Sequence, residues 1–241
     1  RAGEADCIVA GGMESMTNAP HLLMGSREGV KFGEWKMLDS MAFDGLTCAF
    51  DQCALGEATD NYYSRYDMTR ESQDAFAALS HTRAGQAQAS GIFDEEIVSI
   101  EIPQRKGEPV VVSKDEGIRP ETTAEGLSGL NPAFNAQGTV TAGNASQLSD
   151  GAAAVIVMRK SKAEELGLRW LAEIGAHGNV AGPDASLHEQ PARAILAACK
   201  KANLDPADID LFEINEAFAS VGLASLKVLV DSGASADVDH V

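Results

Sequence analysis

The feature that most constrains this chain lies near its end. An apolar run, Ile209, Leu211, Phe212 and Ile214, stops at Asn215, and a helical repeat begins at once. Phe218, Val221, Ala224 and Val228 recur at spacings of three and four, which predicts a strand over 209–214 and a helix over 215–230. A further helix, Pro191 to Ala202, carries proline in its first turn. Strands alternating with helices indicate α/β architecture. Asn215 then sits at a strand-to-helix junction, where free N–H groups and partial positive charge collect ligands. The same residue type also serves as a plain N-cap, with Glu216 complementing the helix dipole. The residues alone leave both readings open.

Upstream, Cys7 to Ala10 reads as a short buried strand ending at a Gly11-Gly12 turn, and residues 13 to about 60 as irregular. A helix is predicted from Thr69, as N-cap, to Ser90, with Phe76 and Leu79 on one face and Gly91 ending it. Ile97–Ile102 and Val110–Val112 read as strands around a turn at Arg105-Lys106-Gly107-Glu108. The stretch 115–137 is polar and irregular. Gly151–Met158 reads as a buried strand, Ser161-Lys162-Ala163-Glu164 as a capping box whose helix stops at Gly167, and Trp170–Gly175 as the start of a second set of elements.

The net charge of −17 argues against nucleic-acid binding and against docking on anionic membranes. No apolar run approaches the length of a membrane span, and 44% hydrophobic content suits a soluble, intracellular protein, here placed in the cytoplasm. The five histidines show no ligand spacing, so no metal is assigned. Among the four cysteines, Cys7 and Cys199 read as buried small hydrophobes, and Cys48 and Cys53 match neither a zinc nor a redox motif.

Three motifs occur in order: Gly11-Gly12-Met13-Glu14-Ser15-Met16, Gly138-Thr139-Val140-Thr141-Ala142-Gly143-Asn144-Ala145-Ser146, and Asn215-Glu216-Ala217-Phe218. Together they resemble the thiolase family, the acetyl-CoA acetyltransferases and 3-ketoacyl-CoA thiolases of fatty acid metabolism, over essentially the whole chain. The resemblance implies two similar βαβαβαββ halves stacked as a layered αβαβα fold, with a loop domain inserted into the first half. Carried over, residues 1–16 end the N-terminal half, 17–148 form the coenzyme A-binding loop domain, 149–168 return to the N-terminal half, and 169–241 begin the C-terminal half. It further implies acyl transfer between coenzyme A thioesters by Claisen condensation or thiolysis, with an acyl-CoA as small-molecule substrate, and a homodimer or homotetramer.

The resemblance also supplies site residues. Asn215 corresponds to the Asn that holds a water in an oxyanion hole. Phe134, Ala142 and Ser146 match positions contacting coenzyme A, as do Ala217 and Phe218. Small residues at 141–146 would let a pantetheine chain approach the backbone, although such a run also suits a tight strand crossing. Arg119 matches an Arg near the nucleotide end, where a guanidinium stacks on adenine or binds phosphate. Otherwise it is a surface Arg among acids. Leu46, Ala54 and Leu55 fall at the substrate pocket, where Ala54-Leu55 stands in place of the His-Met of biosynthetic thiolases. Gly126 replaces a hydroxyl that contacts the coenzyme.

The family's nucleophilic Cys lies well upstream of the first motif. Its catalytic His, in Gly-His-Pro, and its second Cys lie downstream of Asn-Glu-Ala-Phe, and the segment leading into Gly-His-Pro should begin about where Val238-Asp239-His240-Val241 stands. The chain therefore reads as the middle of a thiolase, inactive by itself. The alternative is a non-catalytic coenzyme A-binding or interaction remnant. A Rossmann nucleotide site is disfavoured because Gly11-Gly12 does not continue as GxGxxG.

Overall fold

A computed structural model of the chain describes residues 3–237. The terminal segment 238–241, read above as the approach to Gly-His-Pro, lies outside the described residues. In chain order the elements are β1 (Cys7–Ser15), β2 (His21–Leu23), β3 (Met37–Asp39), a π-helical turn (Met41–Gly45), α1 (Leu55–Tyr62) and α2 (Arg70–Ala89). There follow β4 (Ile100–Ile102), β5 (Val110–Val112), α3 (Ala124–Ser128), β6 (Asp150–Met158), α4 (Lys160–Glu165), α5 (Gln190–Ala202) and α6 (Ala219–Asp231). β2 pairs with β3 and β4 with β5 as local antiparallel hairpins.

The long-range pairing is β1 with β6, antiparallel from Cys7 opposite Met158 to Ser15 opposite Asp150. β1 does not end at Gly11-Gly12, as expected, but runs straight through both glycines. The reason at Gly11 is close approach: a Cβ there would meet the Ala153 carbonyl oxygen at 2.6 Å. β6 is a strand as read, but it is not buried. Val155 and Ile156 are 60% and 68% exposed, and Val9 and Met13 opposite are 74% and 80% exposed. Cys7 is exposed too, against the expectation. Among the described residues, no second layer shields this ribbon.

The core lies elsewhere. Ala192 of α5, Phe212, Ile214, Leu229 of α6 and Ala234 form its centre, with Ile195, Leu196, Ile209 and Val228 packed around them. The segment 209–214 keeps a strand's alternation, Phe212 and Ile214 buried and Leu211 71% exposed, yet forms no ladder among the described residues. Residues 170–174 likewise form no strand among the described residues, and Leu171 and Ile174 point into solvent. An apolar pattern sets which side is buried, whereas a ladder also requires a neighbour in register. The capping box read at Ser161 is absent: α4 starts at Lys160 with Arg159 as its N-cap, two residues before the expected cap, so Ser161 lies inside the first turn. The stretch 115–137, read as irregular, contains α3, whose N-cap Thr123 accepts from the Gly126 N–H.

α6 is joined to α2 through Gly222, on whose backbone the Phe76 ring rests; a Cβ at 222 would lie 2.7 Å from that ring. α2 itself opens as predicted, with Thr69 and Ser72 in a reciprocal capping box. At its far end Gly91 is left-handed, φ +78°.

His188, fully buried just before α5, stacks on Tyr66 with ring centroids 5.0 Å apart, and its Nδ1 lies 3.2 Å from Ser186 Oγ. Burial, reinforced by the positive charge of Arg65, pushes its pKa down to about 4 from the ordinary 6.5. The unfolded chain therefore binds this proton below pH 6.5, while the native state refuses it until about pH 4. The stability contributed is complete above pH 6.5 and is lost as pH falls through that window. Urea denaturation at pH 7.5 and pH 5.0 is expected to show about 2 kcal/mol less pH-dependent loss in His188→Gln than in the parent. Equal losses in the two proteins would refute the assignment.

Candidate active-site cleft

The cleft is organised by a loop, 138–146, that two buried carboxylates hold in place. Asp60, on α1, accepts the N–H groups of Thr139 and Val140 at 2.7 and 3.0 Å through Oδ1. Asp74, on α2, accepts Arg70 Nε at 2.7 Å and Asn144 Nδ2 at 3.0 Å on its two oxygens. Gln73 Nε2 donates to Thr139 Oγ1 at 3.0 Å. Asn144 closes the loop on itself: its Oδ1 accepts the Thr141 N–H at 2.8 Å and its Nδ2 donates to the Thr139 carbonyl at 3.0 Å. Arg70 extends the network to α3 by donating to the carbonyls of Leu127 and Leu130. Asp60, Gln73, Asp74, Thr139, Thr141 and Asn144 are all buried, so each bond replaces water that folding removed.

The loop then docks on the chain that enters α6. Ser146 N–H donates to the Ala217 carbonyl at 3.0 Å, and Ala219 N–H donates to the Asn144 carbonyl at 2.9 Å, with Ala145 and Phe218 bridged between them. This docking decides the state of Asn215. α6 begins only at Ala219, with Phe218 as its N-cap, so the N-cap reading of Asn215 fails. Asn215 sits instead in a tight turn in which Ala217 N–H reaches the Asn215 carbonyl at 3.0 Å, leaving its side chain exposed. Its neighbour Glu216 is tied to α2 by Ser80 Oγ at 2.6 Å.

Between α2, the 115–118 segment, the docked loop and residues 211–216 lies a cavity of about 690 Å³. That is the size of a small-molecule site. Of the residues singled out from sequence, Asn215 and Ser146 line it. Ala217 and Phe218 stand behind this wall, as the backbone to which Ser146 and Ala145 are bonded. Arg119 adjoins Ile118 on the opposite wall, and its N–H donates to His81 Nδ1 at 3.2 Å. Ala142 lies at the exposed tip of the Thr141–Asn144 turn.

Leu46, Ala54, Leu55 and Phe134 form a second group that does not line this cavity. Leu55 N–H bonds the Leu46 carbonyl at 2.8 Å, and the Phe134 ring lies on Gly56, where a Cβ would come within 2.1 Å of it. The two groups are linked through α1, which starts at Leu55 and carries Asp60 to the loop.

Sequence reasoning missed His81. It lines the cavity half-buried, and burial together with the Arg119 charge lowers its pKa, against the opposing pull of Glu216. Helical spacing on α2 would have found it, since His81 follows Ala77 by four residues and precedes Ala84 by three on one face.

Asn144→Ala is expected to destabilise the protein by about 3 kcal/mol, because it strips one oxygen of a buried carboxylate of its donor and leaves the Thr141 N–H unpaired. Asn215→Ala is expected to change stability by less than about 0.5 kcal/mol, since no cap is lost. Urea denaturation of both variants checks this; a large loss at 215 would restore the capping role.

Comparison with known proteins agrees with this architecture. Residues 1–161 match the family model for the thiolase N-terminal domain, and residues 168–235 match that for the thiolase C-terminal domain. A probable acetyl-CoA acetyltransferase of Mycolicibacterium smegmatis is 56% identical over 229 residues, covering 95% of this chain and 59% of the relative. The solved acetyl-CoA acetyltransferase of Syntrophomonas wolfei superposes with TM-score 0.92 at 37% identity, over 99% of this chain and 60% of that one. Human mitochondrial 3-ketoacyl-CoA thiolase superposes with TM-score 0.89 at 36% identity, over 98% and 58%. The chain thus spans about three fifths of the length of the curated relatives it matches.

Proposed function

The chain belongs to the thiolase family, and from that premise we propose that it serves acetyl transfer between coenzyme A thioesters, as an acetyl-CoA C-acetyltransferase. The observation that carries this reading is the placement of Asn215. Its carboxamide is exposed on the wall of a cavity of about 690 Å³, on a turn fixed from both sides by the Asn144–Ser146 loop and by Ser80. A carboxamide on a turn held this way is available to position a water or donate a hydrogen bond where thioester oxygen charge develops. Ser146 beside it, with the Ala217 and Phe218 backbone behind, would carry the pantetheine arm. Arg119 on the opposite wall would meet the nucleotide end. Leu46, Ala54, Leu55, Phe134 and Ala142 would border the acyl and pantetheine path.

The domain reading is proposed on the same footing, with 17–148 as a loop domain inserted into the N-terminal half. What supports it is that the two ends of this stretch meet. Ser15 pairs with Asp150, whose carboxylate accepts Ser15 Oγ at 3.1 Å and Thr17 N–H at 2.9 Å. Residues 1–16 and 149–168 then belong to one half and 169–241 to the next. We further propose action in the cytoplasm, in fatty acid metabolism, and assembly as a homodimer or homotetramer. No helix among the described residues is long and apolar enough to cross a membrane.

The covalent step of such a transfer needs a thiolate nucleophile. Among the described residues, none of the four cysteines lines the cavity. The 241-residue chain assayed by itself is therefore expected to show no thiolysis of acetoacetyl-CoA. Turnover that disappears on mutating Cys48 or Cys53 would overturn this. In a thiolase of the relatives' full length containing this chain, Asn215→Ala is expected to lower kcat by about a hundredfold with little change in KM. Arg119→Ala is expected to raise KM for coenzyme A and leave kcat nearly intact. Unchanged turnover in Asn215→Ala would defeat the proposed role of the cavity.

A further inference from the structure

The spacing of Cys48 and Cys53 matches no motif in the sequence, but the fold makes the two residues cross-strand partners. Thr47 and Ala54 form an antiparallel bridge, so Cys48 and Cys53 are the next pair in the same register. Cys48 N–H donates to the Cys53 carbonyl at 2.8 Å, and Leu55 N–H donates to the Leu46 carbonyl at 2.8 Å on the other side of the bridge. Residues 49–52 close the turn: Gln52, left-handed at φ +52°, returns its N–H to the Cys48 carbonyl at 2.8 Å. The Asp51 N–H points at Cys48 Sγ, 3.5 Å away. Residues opposed in this way have Cα atoms about 5.5 Å apart and side chains on one face. A disulfide requires a Cα separation of roughly 4.4 to 6.8 Å. Both thiols are free here, Cys48 buried and Cys53 half-buried.

We propose that Cys48 and Cys53 are a reversible intramolecular dithiol–disulfide pair, oxidised by hydrogen peroxide or a comparable small hydroperoxide. Cys53, the more accessible, loses its proton to solvent, and its thiolate attacks a peroxide oxygen. The O–O bond breaks, and hydroxide leaves and takes a proton, giving a sulfenic acid and water. Cys48 then loses its proton and attacks the sulfenic sulfur. The S–O bond breaks, and the departing hydroxide becomes a second water. Two thiols have given two electrons to one peroxide. The environment sets the rate. Burial, Glu57, Asp51 and the neighbouring Cys48 all raise the Cys53 pKa, so little thiolate is present at neutral pH and oxidation is slow. The pair is therefore suited to sustained oxidant rather than to brief pulses. The proposal does not depend on the function assigned to the cavity.

The test treats the folded full chain with hydrogen peroxide, then unfolds it in urea at acid-quenched pH, alkylates the residual thiols under denaturing conditions and follows the tryptic peptide Met37–Arg65, in which these are the two cysteines. The expected result is joint loss of alkylation at Cys48 and Cys53, a peptide lighter by two hydrogens, and full recovery with dithiothreitol. The disulfide should form at least about tenfold more completely in folded than in urea-unfolded protein at equal oxidant, because the turn raises the effective concentration of one thiol at the other. In Cys53→Ser, Cys48 should stay reduced and be alkylated once the protein is unfolded, its buried sulfur having lost the cysteine it would bridge. Three outcomes would overturn the proposal. The peptide stays doubly alkylated while the exposed Cys7 is oxidised; Cys53 passes to sulfinic acid with Cys48 untouched; or folded and unfolded chains oxidise alike.

Discussion

Asp60 and Asp74 are carboxylates with almost no contact with water, and the functional face of the molecule depends on how they are satisfied. Desolvating an ionised carboxylate costs several kcal/mol unless donors replace the lost water. One loop contributes to both: the Thr139 and Val140 N–H groups bond Asp60, and the Asn144 amide bonds Asp74 beside Arg70 of α2. The Oδ1 atoms of both acids find these donors only when residues 138–146 adopt one conformation, and that conformation presents Asn144 and Ser146 to the chain entering α6. The requirement extends to Gly138, where a Cβ would stand 2.1 Å from Asp60 Oδ2. Only glycine lets the loop reach the acid.

The same economy of side chains appears wherever elements cross near the cleft. Gly143 lies under Leu127 and Leu130, Gly56 under Phe134, and Gly222 under Phe76; in each case a Cβ would fall within 2.7 Å of the covering side chain. Two of the chain's few rings, Phe76 and Phe134, thus rest on bare backbone and bring helices and loops into close contact. The cavity wall mixes small residues with Phe76, Ile118, Leu211 and Phe212, and its polar lining includes Asp115, Glu213 and Glu216 beside Asn215, Ser146 and His81.

The β1–β6 ribbon answers to a different constraint. It joins the two ends of a stretch of more than a hundred residues through a nine-residue antiparallel register, while leaving Val9, Met13, Val155 and Ile156 largely open to solvent. An open apolar strand face of this kind calls for a further layer. Thiolase folds are layered, and the family models meet between residues 161 and 168, just past the end of this ribbon.

Much of this was legible in the sequence where the cause is local. The Thr69 cap, the helical stripe of α2, the proline that opens α5 and the turn at Gly107 follow from the backbone preferences of a few adjacent residues, and the three ordered motifs carried the family. The strand alternation of 209–214 was equally visible, and Phe212 and Ile214 are the residues that turned inward. Tertiary structure decided what depends on distant partners. It carried β1 through Gly11-Gly12, because Ala153 approaches too closely for any Cβ. It left Cys7 and β6 exposed, because burial requires a layer that no periodicity can supply. It moved the start of α6 from Asn215 to Ala219, because the backbone at 217–219 is bonded to a loop some seventy residues away. Sequence determines which residues can bury, cap or turn; only the fold determines which distant group satisfies them, since a hydrogen bond or a packed face is a property of two segments at once.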